Sequence, residues 1–204
     1  NNIKSIIIDH HEIYKPYPKS KILINPKKDS DYKKLDYFCS GVLTYFFIDM
    51  FIKKKKLNLN FSNNLHLVLL TIVSDVMPLR KINRIIANKV LKNINLTQEL
   101  FFKRVFKVKE IKKKLDIDDF GFLFGPIINS AGRLDDPNYI VKLFTSTNID
   151  IKDEIIDKLI SLNEKRKKIE NDIINKIDFK KIETSKSPII IYDDLNISEG
   201  LIGI

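Results

Sequence analysis

The sequence is poor in cysteine, in arginine and in long apolar runs, and two of these shortages exclude classes of protein. The single cysteine, Cys39, excludes an internal disulfide and a zinc site built from several cysteines. So little cysteine use predicts a cytoplasmic protein, because thiols stay reduced there. No apolar run approaches the roughly 18 residues that a membrane-spanning helix needs, so the sequence predicts that this is not an integral membrane protein.

What is present describes a folded and basic chain. The 204 residues are 44% hydrophobic and 30% charged, which predicts one or two globular domains with a sizeable core. The formal net charge of +10 suits a polyanionic partner, either nucleic acid or an anionic membrane surface. Only five of the 36 basic residues are arginine. An AT-rich genome would also produce this excess of lysine, so codon bias and a binding face remain alternative sources of the charge.

The pattern of apolar residues predicts an α/β fold. Residues 3–8 are a short isoleucine-rich run, which predicts a buried strand of a parallel sheet. Residues 21–25 predict a second short strand that ends at Pro26. Longer apolar or amphipathic runs predict helices over residues 38–52, 65–74, 82–94 and 97–108. Residues 119–133 are rich in glycine and phenylalanine and predict a structured loop.

Two of these helices carry more detailed expectations. Ser62 or Asn63 is expected to N-cap the helix over residues 65–74. The helix over residues 82–94 is expected to bury one apolar stripe, whose members are Ile85, Ile86, Val90 and Leu91.

Residues 151–179 give the longest helical pattern in the chain. Two apolar stretches flank residues 163–168, which are expected to be polar on every side. Such a helix predicts either a strut between two domains or a long surface helix. Residues 188–192 then predict the first strand of a second domain.

Three residues with titratable side chains follow the first predicted strand. Asp9, His10 and His11 come directly after the run that ends at Ile8. Ligands of open α/β sheets bind beyond the carboxyl ends of strands, and imidazole and carboxylate groups are metal ligands. The alternative is a turn with solvated histidines.

Two further places could carry chemistry. Asp75 ends an almost wholly apolar helix, so it either caps the following turn or points into the same crevice as His10. The segment 125–133 has glycines near both ends and contains Asn129 and Arg133, a pattern that suits an anion. The rarity of arginine favours Arg133 as a residue kept for bidentate contacts. A tight turn with a solvated arginine is the alternative.

The order of these segments resembles the DHH phosphoesterase superfamily and, within it, the RecJ-like exonucleases. The Asp-His-His tripeptide marks the superfamily, and the segment 125–134 separates RecJ-like members from the pyrophosphatase and nanoRNase branches. The matching stretches are residues 8–11, 25–26, 71–79, 83–84, 121–134, 162–163, 166 and 200–204.

The resemblance implies a metal-dependent exonuclease that degrades single-stranded DNA from 5′ to 3′ in repair and recombination, with two Mn²⁺ or Mg²⁺ ions. It implies that His10 and Asp75 are metal ligands, and that His11 contacts the scissile phosphate while Asp9 orients the histidine pair. Arg133 and Asn129 would hold the terminal 5′ phosphate. A single-strand-binding protein and a helicase are the partner proteins that this family suggests.

The resemblance also implies a domain division. Residues 1–150 would be the C-terminal portion of the DHH domain, 151–180 the connecting helix, and 186–204 the start of a second domain. The family's earlier acidic motifs would precede Asn1, so we expect an internal piece of a longer protein that is inactive alone.

Two alternative functions remain at this point. One is a DHH phosphodiesterase for short oligonucleotides or cyclic dinucleotides, which comparing digestion of a long single strand with that of a dinucleotide would distinguish. The other is a non-catalytic DNA-binding relative, which the identity of the upstream acidic motifs would decide.

Overall fold

The computed structural model describes residues 3–28, 30–93 and 100–176, which form two compact units. The first unit is built from the described residues up to 93 together with 113–125. The second is built from residues 100–112 and 126–176. The whole is a helix-rich α/β fold, as predicted. No helix among these residues is long and apolar enough to cross a membrane.

The first unit contains a small parallel sheet. Strand β1, Ile6–Ile8, pairs with β2, Ile22–Ile24, so both predicted strands are present and parallel. The prediction that the first strand is buried is wrong, because Ile6 remains about half exposed, as does Ile22 of β2. The reason is that each strand has one hydrogen-bonded neighbour among the described residues.

The helices of the first unit are α1 (Ser40–Lys55), α2 (Leu65–Ser74), α3 (Lys81–Asn93) and the short α5 (Ile117–Asp119), with further 3₁₀ turns at Ser30–Leu35 and Ser62–Asn64. Helix α2 is the centre of this unit. Its apolar residues are buried on several sides, because α1, α3 and the segment Phe120–Phe124 all pack on it.

Helices α1 and α2 approach closely where α1 begins. A Cβ atom placed on Gly41 would lie 2.2 Å from Thr71 Oγ1 and 2.9 Å from Thr71 Cβ. The thiol of Cys39, the residue before α1, is 3.4 Å from the same Oγ1. Only a residue without a side chain fits at position 41, so Gly41 sets the spacing of the two helices.

The loop predicted over residues 119–133 is wrong, because this segment is helical throughout. Asp116 caps α5 in a reciprocal capping box with Asp119. A π-helical turn, Phe120–Phe124, then leads directly into α6, Gly125–Leu134. The apolar residues of the segment are buried at intervals of three or four residues, namely Phe120, Phe124, Ile127 and Ala131. This spacing is that of one face of a helix, and burying that face favours helical structure despite the glycines.

Two local expectations are also wrong. A 3₁₀ turn precedes α2, and Asn64, rather than Ser62 or Asn63, takes the N-cap position without a side-chain hydrogen bond. On α3, Ile85 is exposed and Asn83 is buried in the stripe instead. The Asn83 amide nitrogen donates to the carbonyls of Tyr37 at 2.7 Å and Pro78 at 3.1 Å, while its Oδ1 atom is buried without a hydrogen-bond partner.

The second unit is wholly helical among its described residues. Its helices are α4 (Leu100–Val108), the part of α6 after Gly125, α7 (Asn138–Thr145) and α8 (Ile149–Lys176). Helix α8 confirms the predicted long helix as far as Lys176, the last described residue. It packs on α4 and α7. Its proposed role as a strut remains a prediction, and the strand over residues 188–192 lies outside the described residues.

The middle of α8 differs from the expected polar waist. Asn163 and Arg166 are buried, so residues 163–168 are not polar-exposed on every side. Arg166 donates to Asn163 Oδ1 through Nε at 3.1 Å and Nη2 at 3.0 Å, and it forms an ion pair with Glu170. These contacts satisfy the guanidinium and allow its burial.

We expect Gly41→Ala to lower the free energy of unfolding by about 1–3 kcal/mol, because its methyl group would overpack the α1–α2 contact. Urea denaturation followed by circular dichroism measures this change. Gly132→Ala is the matched control, since its Cβ would meet Pro137 at an ordinary 3.8 Å. In a helix that control should be neutral or stabilising by up to about 1 kcal/mol. An unchanged midpoint for Gly41→Ala would contradict the close contact.

Candidate metal centre

The end of β1 and the end of α2 bring two predicted metal ligands together. His10 follows β1, and only 14% of its side chain is exposed. Its Nε2 atom lies 3.8 Å from Oδ2 of Asp75, the residue that follows α2. Of the two alternatives for Asp75, the structure shows the one in which the carboxylate faces His10.

The chain turns sharply after Asp75. The backbone N–H of Met77 donates to Ile72 O at 2.9 Å and that of Val76 to Val73 O at 3.1 Å, which is the Schellman pattern. Val76 takes the left-handed position with φ 53°, where glycine is usual, and is 88% exposed. The strained turn ends α2 at Ser74 and so fixes where the carboxylate of Asp75, its C-cap residue, lies.

A second pair of groups lies beside His10. His11 Nδ1 is 2.7 Å from Asp9 Oδ1, and the His11 side chain is 76% exposed. Burial raises the pKa of Asp9, but hydrogen bonds from the His11 ring and from the backbone N–H groups of His10 and His11 outweigh it. The pKa of Asp9 therefore lies below its ordinary value. Asp9 is thus held as a carboxylate that orients the His11 ring.

Asn25 is a residue of this site to which the sequence analysis assigned no role. It follows β2, is buried, and donates through Nδ2 to the His11 carbonyl at 3.0 Å and towards Asp9 at 3.5 Å. The signal was available, because β2 is parallel to β1 and its carboxyl end lies at the same sheet edge.

These side chains fit a divalent cation. Asp9, His10 and His11 each offer a ligand atom, and these atoms lie within 4.8 Å of one another. The 3.8 Å between His10 Nε2 and Asp75 Oδ2 is too long for a hydrogen bond. It is shorter than twice the metal–ligand distance of about 2.1 Å. One small cation could therefore touch both atoms. Imidazole suits ions such as Zn²⁺ and Fe²⁺ and carboxylate suits Mg²⁺ and Mn²⁺, so the mixed donors fit a divalent cation without selecting one.

The predicted phosphate residues lie in the second unit, on α6. Asn129 and Arg133 are four residues apart and share one face of the helix, while Ile127 and Ser130 are buried. The expected anion loop is wrong in form, because its backbone N–H groups are part of a helix. Gly125 serves packing instead, since a Cβ there would lie 2.9 Å from Phe120 O.

The chain is similar in sequence to several known proteins. The chain is 31% identical over 180 residues to the single-stranded-DNA-specific exonuclease RecJ of Escherichia coli (strain K12) and 28% identical to that of Haemophilus influenzae. Each match covers 82% of this chain and 31% of the relative. The chain is a relative of RecJ. It spans about a third of the length of these RecJ proteins. No protein-family model matches it.

Solved RecJ structures share the fold. A crystal structure of exonuclease RecJ bound to manganese matches with a TM-score of 0.73 at 20% identity, over 87% of this chain and 44% of that one. RecJ of Thermus thermophilus in complex with Mn²⁺ matches with a TM-score of 0.75 at 20% identity, over 87% of this chain and 26% of that one.

We expect Val76→Gly to raise the free energy of unfolding by about 0.5–1 kcal/mol, since glycine removes the left-handed strain at the cost of some backbone entropy. The midpoint of urea denaturation measures it. Ile85→Gly is the control, because this exposed β-branched residue lies within α3 of the same unit. It should lower stability by about 0.5 kcal/mol. Destabilisation by Val76→Gly would show that the turn is not strained.

Proposed function

We propose that the protein is a metal-dependent exonuclease that degrades single-stranded DNA from 5′ to 3′ in repair and recombination. The observation that carries the proposal is the 3.8 Å approach of His10 Nε2 to Asp75 Oδ2. The names of the curated relatives, single-stranded-DNA-specific exonucleases, support the activity and substrate. The manganese-bound RecJ structures support the choice of cofactor.

His10 and Asp75 hold Mn²⁺ or Mg²⁺ in this proposal. A divalent cation bound there lowers the pKa of water and offsets charge on a phosphate. The His11 ring is held at Nδ1 by Asp9, which leaves Nε2 as its remaining polar atom on an exposed side chain. His11 therefore contacts the scissile phosphate while Asp9 orients it.

Arg133 and Asn129 bind the terminal 5′ phosphate in this proposal. The guanidinium of Arg133 offers a planar fork that fits two phosphate oxygens, and Asn129 adds an amide donor on the same face of α6. The net charge of +10 favours binding to the backbone of the strand. Recognition of a 5′ phosphate would give the enzyme its direction.

This activity implies partners and a place in the cell. An exonuclease specific for single strands needs a supply of them, which a helicase provides. A single-strand-binding protein then coats the same substrate. Both are candidate partners of this protein, and we expect all of them in the cytoplasm.

We expect His10→Ala and Asp75→Ala to reduce nuclease activity more than about 100-fold in the intact protein, because loss of a ligand should exceed the 10–100-fold effect typical of its outer-shell partners. Release of nucleotides from a labelled single strand with Mn²⁺ measures the rate. Circular dichroism should show that both variants fold.

His66→Ala is the matched control for this experiment. His66 lies on α2 and is the one histidine outside the Asp-His-His tripeptide, so the rate should stay close to that of the parent protein. Near-normal turnover by His10→Ala with Mn²⁺ would remove His10 from the metal site.

We expect Arg133→Ala to lower the preference for 5′-phosphorylated over 5′-hydroxyl strands by roughly 10-fold or more, since a hydrogen bond to a charged group contributes about 1.5–3 kcal/mol. The ratio of initial rates on the two strands measures this preference. The ratio for Arg133→Lys should lie between those of the parent protein and Arg133→Ala. Lys142→Ala removes the positive charge of an exposed lysine on α7 and should leave the ratio unchanged. An unchanged ratio for Arg133→Ala would exclude Arg133 from the phosphate site.

A further inference from the structure

The N-terminus of α1 faces the side of the His10 ring that does not face Asp75. Ser40 is the first residue of α1, and its Oγ lies 2.9 Å from His10 Nδ1. The backbone N–H of Ser40 donates to the same Nδ1 at 3.2 Å. Cys39, the N-cap residue, makes no side-chain capping bond, so the His10 ring supplies an acceptor for this helix end.

The two ring nitrogens of His10 therefore have different neighbours. A neutral imidazole carries one proton, so a ring that binds a cation through Nε2 must carry its proton on Nδ1. That Nδ1–H needs an acceptor, and the backbone N–H of Ser40 is a donor. The Ser40 hydroxyl is within hydrogen-bond distance and can accept.

Serine suits both states of the site. In the absence of a cation its hydroxyl can donate to Nδ1 alongside the backbone N–H, and with a cation on Nε2 it can accept from Nδ1–H. Alanine could do neither. Ser40 also lies next to Gly41, where the close approach to Thr71 fixes the start of α1. The hydroxyl is thus presented from a rigid part of the unit.

We propose that Ser40 is a positioning residue: when Nε2 binds the cation, the Ser40 hydroxyl accepts a hydrogen bond from His10 Nδ1–H, which replaces the bond that the Ser40 backbone N–H now donates to Nδ1. This inference rests on the proposed function, because it takes His10 as a metal ligand. Partners of the second ring nitrogen commonly change metal affinity 10–100-fold when they are lost.

The test measures Mn²⁺ binding to the intact protein by electron paramagnetic resonance, without DNA and without turnover. Ser40→Ala should weaken binding about 10-fold. A second pair of variants, Ser40→Thr and Ser40→Val, has matched side-chain shape and differs in the hydroxyl. Ser40→Thr should retain near-parent affinity while Ser40→Val loses it. A steric effect of the branched side chain is common to both variants and cancels in the comparison, and circular dichroism should show that both fold.

A double-mutant cycle shows whether the effect passes through His10. In the His10→Ala background, Ser40→Ala should cause no further loss of Mn²⁺ affinity. An equal loss in both backgrounds would overturn the proposal, as would equal affinities of the threonine and valine variants. Ser62→Ala, which removes an exposed hydroxyl before α2, should leave binding unchanged.

The outcomes separate this inference from the proposed function. If His10→Ala weakens Mn²⁺ binding and Ser40→Ala does not, the role of Ser40 is wrong and the metal site stands. If His10→Ala leaves Mn²⁺ binding unchanged, the metal site itself is wrong and the role of Ser40 falls with it.

Discussion

The approach of α1 to α2 at Gly41 is the contact on which the candidate site depends. The first turn of α1 holds His10 through Ser40, and the last turn of α2 ends at Asp75. Because a Cβ at position 41 would lie 2.2 Å from Thr71 Oγ1, the two helices can be no closer, and a larger residue would force them apart. This packing contact touches no ligand atom, but it lies one residue from Ser40 on α1 and four residues from Asp75 on the side of α2.

The position of Asp75 is unfavourable for the fold by itself. The C-terminal end of a helix carries partial negative charge, which disfavours a carboxylate by about 0.3–1 kcal/mol. Strain at Val76 in the next position adds to this cost. Neither feature stabilises the unit, and backbone strain of this kind concentrates at functional sites. A cation beside Asp75 would offset both the carboxylate and the helix end.

The sequence predicted the parts of the site that follow from local pattern. Asp9 to His11 come at the end of a strand and Asp75 at the end of an apolar helix, so their positions could be read from where the patterns stop. The glycines and phenylalanines of residues 119–133 predict a loop, whereas the spacing of the apolar residues fits the helical structure observed over residues 117–134. Ser40 could not be predicted, since it meets His10 across 30 residues and a lone serine carries no pattern.

The contacts of two other arginines bear on the argument for Arg133. Arg104 makes a bidentate contact with Asp157, and Arg166 holds Asn163 and Glu170. These two arginines therefore use their planar fork within the protein itself. Rarity alone therefore does not distinguish a phosphate ligand from an ion pair. The argument for Arg133 depends instead on its position one turn from exposed Asn129 on α6, where a fork and an amide could hold the same anion.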